Sequence, residues 1–144
     1  MIDGAKTVGT GFILIQYLND EEPEKGVNIF HARSGKLDPE KDYSPIEAEA
    51  IALNRAIEAC HHWLYYSDPV QLLSDCKRLL DLMEKNLVDV DNKKLQKILE
   101  TASNYYWEII HISGDDNKIC DGLSRLCTKI CFDFHKYLIR SPRL

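Results

Sequence analysis

The 144-residue chain is 44% hydrophobic and 28% charged with a formal net charge of −5, the make-up of one globular domain with a single core. Residues 1–50 carry ten acids and five bases and the remainder 13 of each, so no segment is strongly basic. That counts against a free-standing nucleic-acid binder, but not against a catalytic domain whose grip comes from a neighbour.

MIDGAK opens the chain, and a strand carrying Asp3 is cut short by Met1, so residues are expected upstream of it. Val8 to Leu18 (VGTGFILIQYL) is apolar and β-branched and predicts a strand. The polar stretch from Asn19 to Gly26 is a turn, and Val27 to Ala32 is the next strand. After a charged connection from Asp38 to Tyr43, Ser44-Pro45-Ile46-Glu47 starts a helix. It supplies a serine cap, proline at the first helical position and glutamate three residues after the cap. That helix buries Ala48, Ala52, Ala56 and Cys60. Val70 to Ser74 (VQLLS) predicts a short buried strand, Lys77 to Lys85 and Asn92 to Asn104 two helices, Trp107 to Ile112 a strand, and Asn117 to Leu138 the last helix. A leading meander followed by a strand–helix–strand crossover implies a mixed α/β sheet.

Five cysteines (Cys60, Cys76, Cys120, Cys127, Cys131) and no signal peptide read as reduced thiols inside a cell. No apolar run approaches the roughly 20 residues of a membrane span. Cys127, Cys131 and His135 share one helix face. Zinc is one reading of the trio, and buried thiols on an amphipathic helix the simpler one, because no second ligand pair has the usual spacing.

Four acids fall at the ends of elements: Asp3 on the first strand, Glu49 near the start of the first long helix, Asp75 directly after VQLLS, and Asp121 opening the last helix. Singly, each has an ordinary role as turn residue, helix-dipole partner or cap. In open α/β sheets, however, ligands collect at strand ends. Four carboxylates that converge there need a cation to offset their repulsion. Oxygen-only ligands point to Mg²⁺ or Mn²⁺, and two such ions about 4 Å apart suit in-line attack on a phosphodiester.

Four stretches in order resemble the ribonuclease H domain of reverse transcriptases from LTR retrotransposons, most closely the gypsy type. They are IDGAKTVGTGFIL (Ile2 to Leu14), GKLDPEKDYSPIEAEAIAL (Gly35 to Leu53), LLSDCKRLL (Leu72 to Leu80) and the run from Asn92 to Leu126 with its N-x-x-x-D-x-L-S-R ending. The resemblance covers nearly the whole chain. It implies a ribonuclease H-like fold, a mixed five-stranded sheet flanked by helices, over a single domain 1–144, with a helix end and basic tail from about 127. It makes Asp3, Glu49, Asp75 and Asp121 the metal ligands for two Mg²⁺ ions, with Mn²⁺ a substitute. Glu47 is the alternative to Glu49 if the register slips. His111 matches the mobile histidine of cellular ribonucleases H, the alternative being a strand-end histidine facing water.

The implied reaction is hydrolysis of the RNA strand of RNA/DNA hybrids. The hybrid is read by shape and 2′-hydroxyls, and the polymerase portion of the same polyprotein is the partner. The implied location is cytoplasmic, within virus-like particles, with no membrane. Asn54, Arg55 and Lys77 are candidates for contact with the nucleic-acid backbone. Asn117 reads as a helix cap, Asp115 and Asp116 as solvated loop, His61 and His62 as structural. The competing expectation is a catalytically silent connection or interaction module on the same fold. Such copies normally lose a metal carboxylate, and all four are present here. A third, weaker reading is another nuclease or integrase of this fold.

Overall fold

Alternation of apolar and polar residues turns the first quarter of the chain into an antiparallel meander. Its strands are β1 (Ile2–Ala5), β2 (Gly9–Tyr17) and β3 (Val27–Lys36). The protein is described by a computed structural model covering residues 1–125 apart from 7, 20, 23, 24 and 68. Asp3 stands opposite Gly11, and Thr10 sits between Gly4 on β1 and Gly35 on β3. β3 runs past the expected end at Ala32. Arg33 to Lys36 stay laddered to Phe12 to Gly9, and an outer strand can hold polar side chains without losing its backbone bonds.

β4 (Val70–Ser74) has the expected bounds and pairs in parallel with β5 (Trp107–His111). β4 lies beside β1. Among the described residues the five strands form two hydrogen-bonded ladders, β1–β2–β3 and β4–β5, within the mixed α/β arrangement.

α1 (Pro45–Leu64) begins where the sequence places it. Ser44 Oγ accepts from the Glu47 N–H at 3.3 Å, and a Glu47 carboxylate oxygen accepts from the Ser44 N–H at 3.4 Å. α2 (Lys77–Met83) follows β4, and α3 (Lys93–Leu99) is capped by Asn92 Oδ1. The helix expected to reach Asn104 stops earlier, and Ala102–Asn104 is a separate 3₁₀ turn. Side chains capture carbonyls there: Ser103 Oγ donates to the Glu100 carbonyl at 2.6 Å, and Trp107 Nε1 to that of Ala102 at 2.8 Å. α4 (Lys118–Arg125) opens as expected. Its expected continuation to Leu138, the Cys127, Cys131 and His135 trio and the basic tail lie outside the described residues.

The core has two main halves, one on each side of the strands. Ile2, Phe12 and Leu72 pack with Leu53 and Ile57 of α1, whereas Met1, Ile13 and Leu73 pack with Ile119 and Leu123 of α4. Two glycines let the helices come this close. A Cβ on Gly4 would lie 2.3 Å from the Ala48 carbonyl carbon of α1, and one on Gly11 would lie 2.5 Å from the Cys120 carbonyl oxygen of α4. Among the described residues no helix is long and apolar enough to cross a membrane.

Candidate metal centre

The close seating of α1 on β1 decides where the carboxylates go. Gly4 brings the first turns of α1 against the strand, so Glu49 reaches Asp3, while β4 ends at Ser74 and delivers Asp75 beside them. One carboxylate oxygen from each of Asp3, Glu49 and Asp75 lies within 4.8 Å of the other two. Asp3 is 7% exposed and Glu49 6%, while Asp75 is half-buried and opens the cluster to solvent.

Burial and mutual repulsion act on this cluster together. Burial raises the Asp3 carboxyl above its usual range, against the hydrogen bond from Ser124, and Asp75 and Asp121 add to the rise. Burial, then the charge of Asp3, pushes Glu49 up to about 9, although the Gly4 N–H favours its ionised form. With its carboxyl at about 9, Glu49 favours the protonated form at neutral pH, in a side-chain hydrogen bond with Asp3. Its Oε2 is enclosed with no hydrogen-bond partner. Three clustered carboxylate donors, one with an orphaned buried oxygen, fit a hard divalent cation, whose charge would replace that proton.

The other expected site residues fall around this centre in different ways. Asp121 is near enough to raise Asp3, but its Oδ1 accepts from Arg125 Nε at 3.1 Å and it stands apart from the three-carboxylate cluster. His111 is exposed at the end of β5, its Nε2 3.3 Å from the Asp75 carbonyl oxygen. Glu47 is committed elsewhere: besides the capping box it pairs with Lys94 at 3.0 Å, and that contact chiefly lowers its carboxyl. Glu49, and not Glu47, lies in the three-carboxylate cluster. Asn54 Oδ1 is enclosed, Lys77 is exposed at the start of α2, and Arg55 lines a cavity described below.

Two residues with a structural hold on the site were not read that way from sequence. Ser124 is fully buried, with Oγ 2.6 Å from Asp3 Oδ2 and 2.7 Å from the Asp121 carbonyl oxygen. Asn117, also fully buried, does more than precede the helix: its Nδ2 donates to the Ile2 carbonyl at 2.9 Å, pinning β1 next to Asp3. Both belong to the N-x-x-x-D-x-L-S-R ending. Their spacing of four and three residues from Asp121 puts them near it on one helix face, a signal already available in the sequence.

A family model described as the RNase H-like domain found in reverse transcriptase matches residues 2–105, a stretch that includes Asp3, Glu49 and Asp75. The chain belongs to this family. The Tf2-3 and Tf2-4 transposon polyproteins of Schizosaccharomyces pombe (strain 972 / ATCC 24843) are each 27% identical to it over 126 residues, 85% of this chain. The chain spans 9% of the length of these curated relatives. Among solved structures, the crystal structure of RNase H1 from the halophilic archaeon Halobacterium salinarum NRC-1 superposes with a TM-score of 0.59 at 20% identity. That superposition covers 88% of this chain and 93% of the other. The RNase H-like fold and the resemblance to a retrotransposon ribonuclease H domain are borne out. His111 and Asp121 of this RNase H-like domain lie beyond the residues the family model matches.

Proposed function

We propose that this RNase H-like domain, residues 1–144 as one unit, is a metal-dependent endonuclease that hydrolyses the RNA strand of RNA/DNA hybrids during reverse transcription. The polymerase portion of the same polyprotein presents the hybrid, in the cytoplasm within virus-like particles. The observation that carries this reading is the meeting of Asp3, Glu49 and Asp75, from three separate elements, within 4.8 Å.

Asp3, Glu49, Asp75 and Asp121 would hold two Mg²⁺ ions, with Mn²⁺ a substitute. Bound there, the ions supply Lewis acidity and an activated water for in-line attack on a phosphodiester. The chain's own residues do the rest. Ser124 fixes the Asp3 carboxylate, and Gly4 fixes the approach of Glu49, which gives up its proton on loading. Asp121 would have to exchange its contact with Arg125 for a place on the metals. His111, exposed beside Asp75, would assist proton transfer or product release.

The test is incubation of the purified domain with a labelled RNA/DNA hybrid in Mn²⁺ and in Mg²⁺, beside Asp75→Asn. The expected result is cleavage of the RNA strand alone, lost with EDTA and in the variant. A folded protein that binds Mn²⁺ without cleaving would locate the missing requirement in the polymerase portion. Neither cleavage nor metal binding would end the enzyme reading and leave a non-catalytic module.

A further inference from the structure

A second polar cavity lies outside the carboxylate cluster, between α1 and the outer strands. It has a volume of ≈ 360 Å³, and its walls include Thr10, Phe12, Arg33, Gly35, Arg55 and Glu58. Arg55 is half-buried and fixed at its back. Nη1 donates to Thr10 Oγ1 at 2.7 Å and Nη2 to the Lys36 carbonyl at 2.9 Å, leaving its other N–H donors to the cavity. Gly35 makes room for that pose, because a Cβ there would come within 3.0 Å of Arg55 Nη1. Arg33 stands exposed on β3. Among the described residues neither guanidinium has a carboxylate within ion-pair distance, in a chain whose net charge is −5.

We propose that Arg33 and Arg55 form a pocket for one backbone phosphate of the nucleic acid, an anchor separate from the metal centre. The proposal rests on the nuclease reading and deepens it. Two guanidiniums and the Glu58 carboxylate leave the cavity one net positive charge, which complements the single charge of a phosphodiester. Arginine forks suit paired phosphate oxygens. Position agrees with this assignment. Gly35 is two strand spacings, about 10 Å, from Gly4, the neighbour of Asp3. Arg55 follows Glu49 by six residues, about 9 Å along α1. A strand of duplex DNA rises about 3.4 Å per nucleotide, a scale for the hybrid. The pocket therefore meets a phosphate about three nucleotides from the carboxylates and gives an acidic domain a local hold on a polyanion.

The experiment measures binding of a labelled RNA/DNA hybrid to the whole chain in EDTA across a salt series. It is repeated with hybrids carrying one neutral methylphosphonate at successive positions, and cleavage in Mn²⁺ is measured in parallel. Arg33→Ala is the main variant because among the described residues that side chain makes no hydrogen bond or ion pair, and Arg55→Lys keeps a charge while losing the fork. The expected result is weaker binding by both variants and a slope of log Kd against log salt that falls by about 0.9, one phosphate's worth, in Arg33→Ala. One methylphosphonate position should weaken the unmodified protein more than it weakens Arg33→Ala, which keeps only Arg55 on that phosphate. Equal affinity and slope in Arg33→Ala, with the hybrid still cleaved, would overturn the pocket and spare the nuclease. The expected slope and position effects with neither cleavage nor Mn²⁺ binding would support the pocket and count against the nuclease. No binding by the unmodified protein at low salt would overturn the pocket.

Discussion

Ser124 Oγ lies 2.6 Å from Asp3 Oδ2, so a hydroxyl on the last described helix holds a carboxylate on the first strand across 121 residues of sequence. The same oxygen is 2.7 Å from the Asp121 carbonyl. A hydroxyl has one hydrogen for these two acceptors. An ionised Asp3 carboxylate is the stronger acceptor of the two and takes that hydrogen.

Ser124→Ala should therefore act on the metal site more than its size implies. It removes a donor from a buried carboxylate, which costs about 1–3 kcal/mol, and it frees the Asp3 rotamer. Urea melts should show that loss, and a Mn²⁺ titration should show affinity several-fold weaker than in the unmodified chain. Unchanged Mn²⁺ affinity would mean that Ser124 does not position Asp3.

Glu47 and Glu49 are two residues apart and do different work, and paired substitutions should separate them. Glu49→Gln should abolish Mn²⁺ binding while raising the stability of the metal-free protein, because a neutral amide avoids the cost of burying a carboxyl that must take up a proton to fit there. Glu47→Gln keeps an oxygen for the Ser44 N–H and loses only the charge pairing with half-exposed Lys94. Its cost should stay within about 1 kcal/mol, with Mn²⁺ affinity intact. Calorimetric Mn²⁺ titrations and thermal melts of both variants would check this, and loss of binding in Glu47→Gln would return the register to question.

What was legible in the sequence was local. The Ser44-Pro45-Ile46-Glu47 start and the VQLLS strand depend on neighbours along the chain, and both appear where expected. The features not read from sequence depend on partners far away. Asn117 bonds to Ile2 across 115 residues, and Ser124 to Asp3 across 121. The halt after Leu99 depends on Ser103 and Trp107 claiming carbonyls, which no helical periodicity records. β3 outran its apolar residues because a ladder counts backbone groups and not side chains. The carboxylates were found by their place at element ends, but only the packing of Gly4 on Ala48 brings Glu49 to Asp3.

That packing yields its own test. In Gly4→Ala the new methyl would stand 2.3 Å from the Ala48 carbonyl carbon and 2.5 Å from the Glu49 nitrogen, both backbone atoms that cannot rotate aside. Either α1 lifts from β1 or the strand bends, at a cost of about 1–3 kcal/mol or more. The displacement also carries Glu49 away from Asp3. Denaturant melts should show destabilisation, and Mn²⁺ binding should be lost in the fraction that stays folded. Native-like Mn²⁺ affinity in a folded Gly4→Ala protein would show that the close approach is not what assembles the site.

The proton on Glu49 fixes the pH dependence of the metal-free protein. Its carboxyl lies at about 9 in the fold against an ordinary 4.5, so the folded state binds more protons than the unfolded state between those values. Stability then falls as pH rises. The contribution is complete below about 4.5 and is lost progressively up to about 9, with Asp3, also raised, acting in the same direction. A divalent cation should reverse this, since it binds the ionised carboxylates and releases the proton. Melts at pH 5.5, 7 and 8.5 in EDTA should show Tm declining across the series. The same melts in Mn²⁺ should show a gain over EDTA that grows with pH. Glu49→Gln should flatten the EDTA series and remove the Mn²⁺ gain. A metal-free protein whose Tm rises between pH 5.5 and 8.5 would mean that Glu49 is ionised in the fold and that its charge is already compensated by the protein itself.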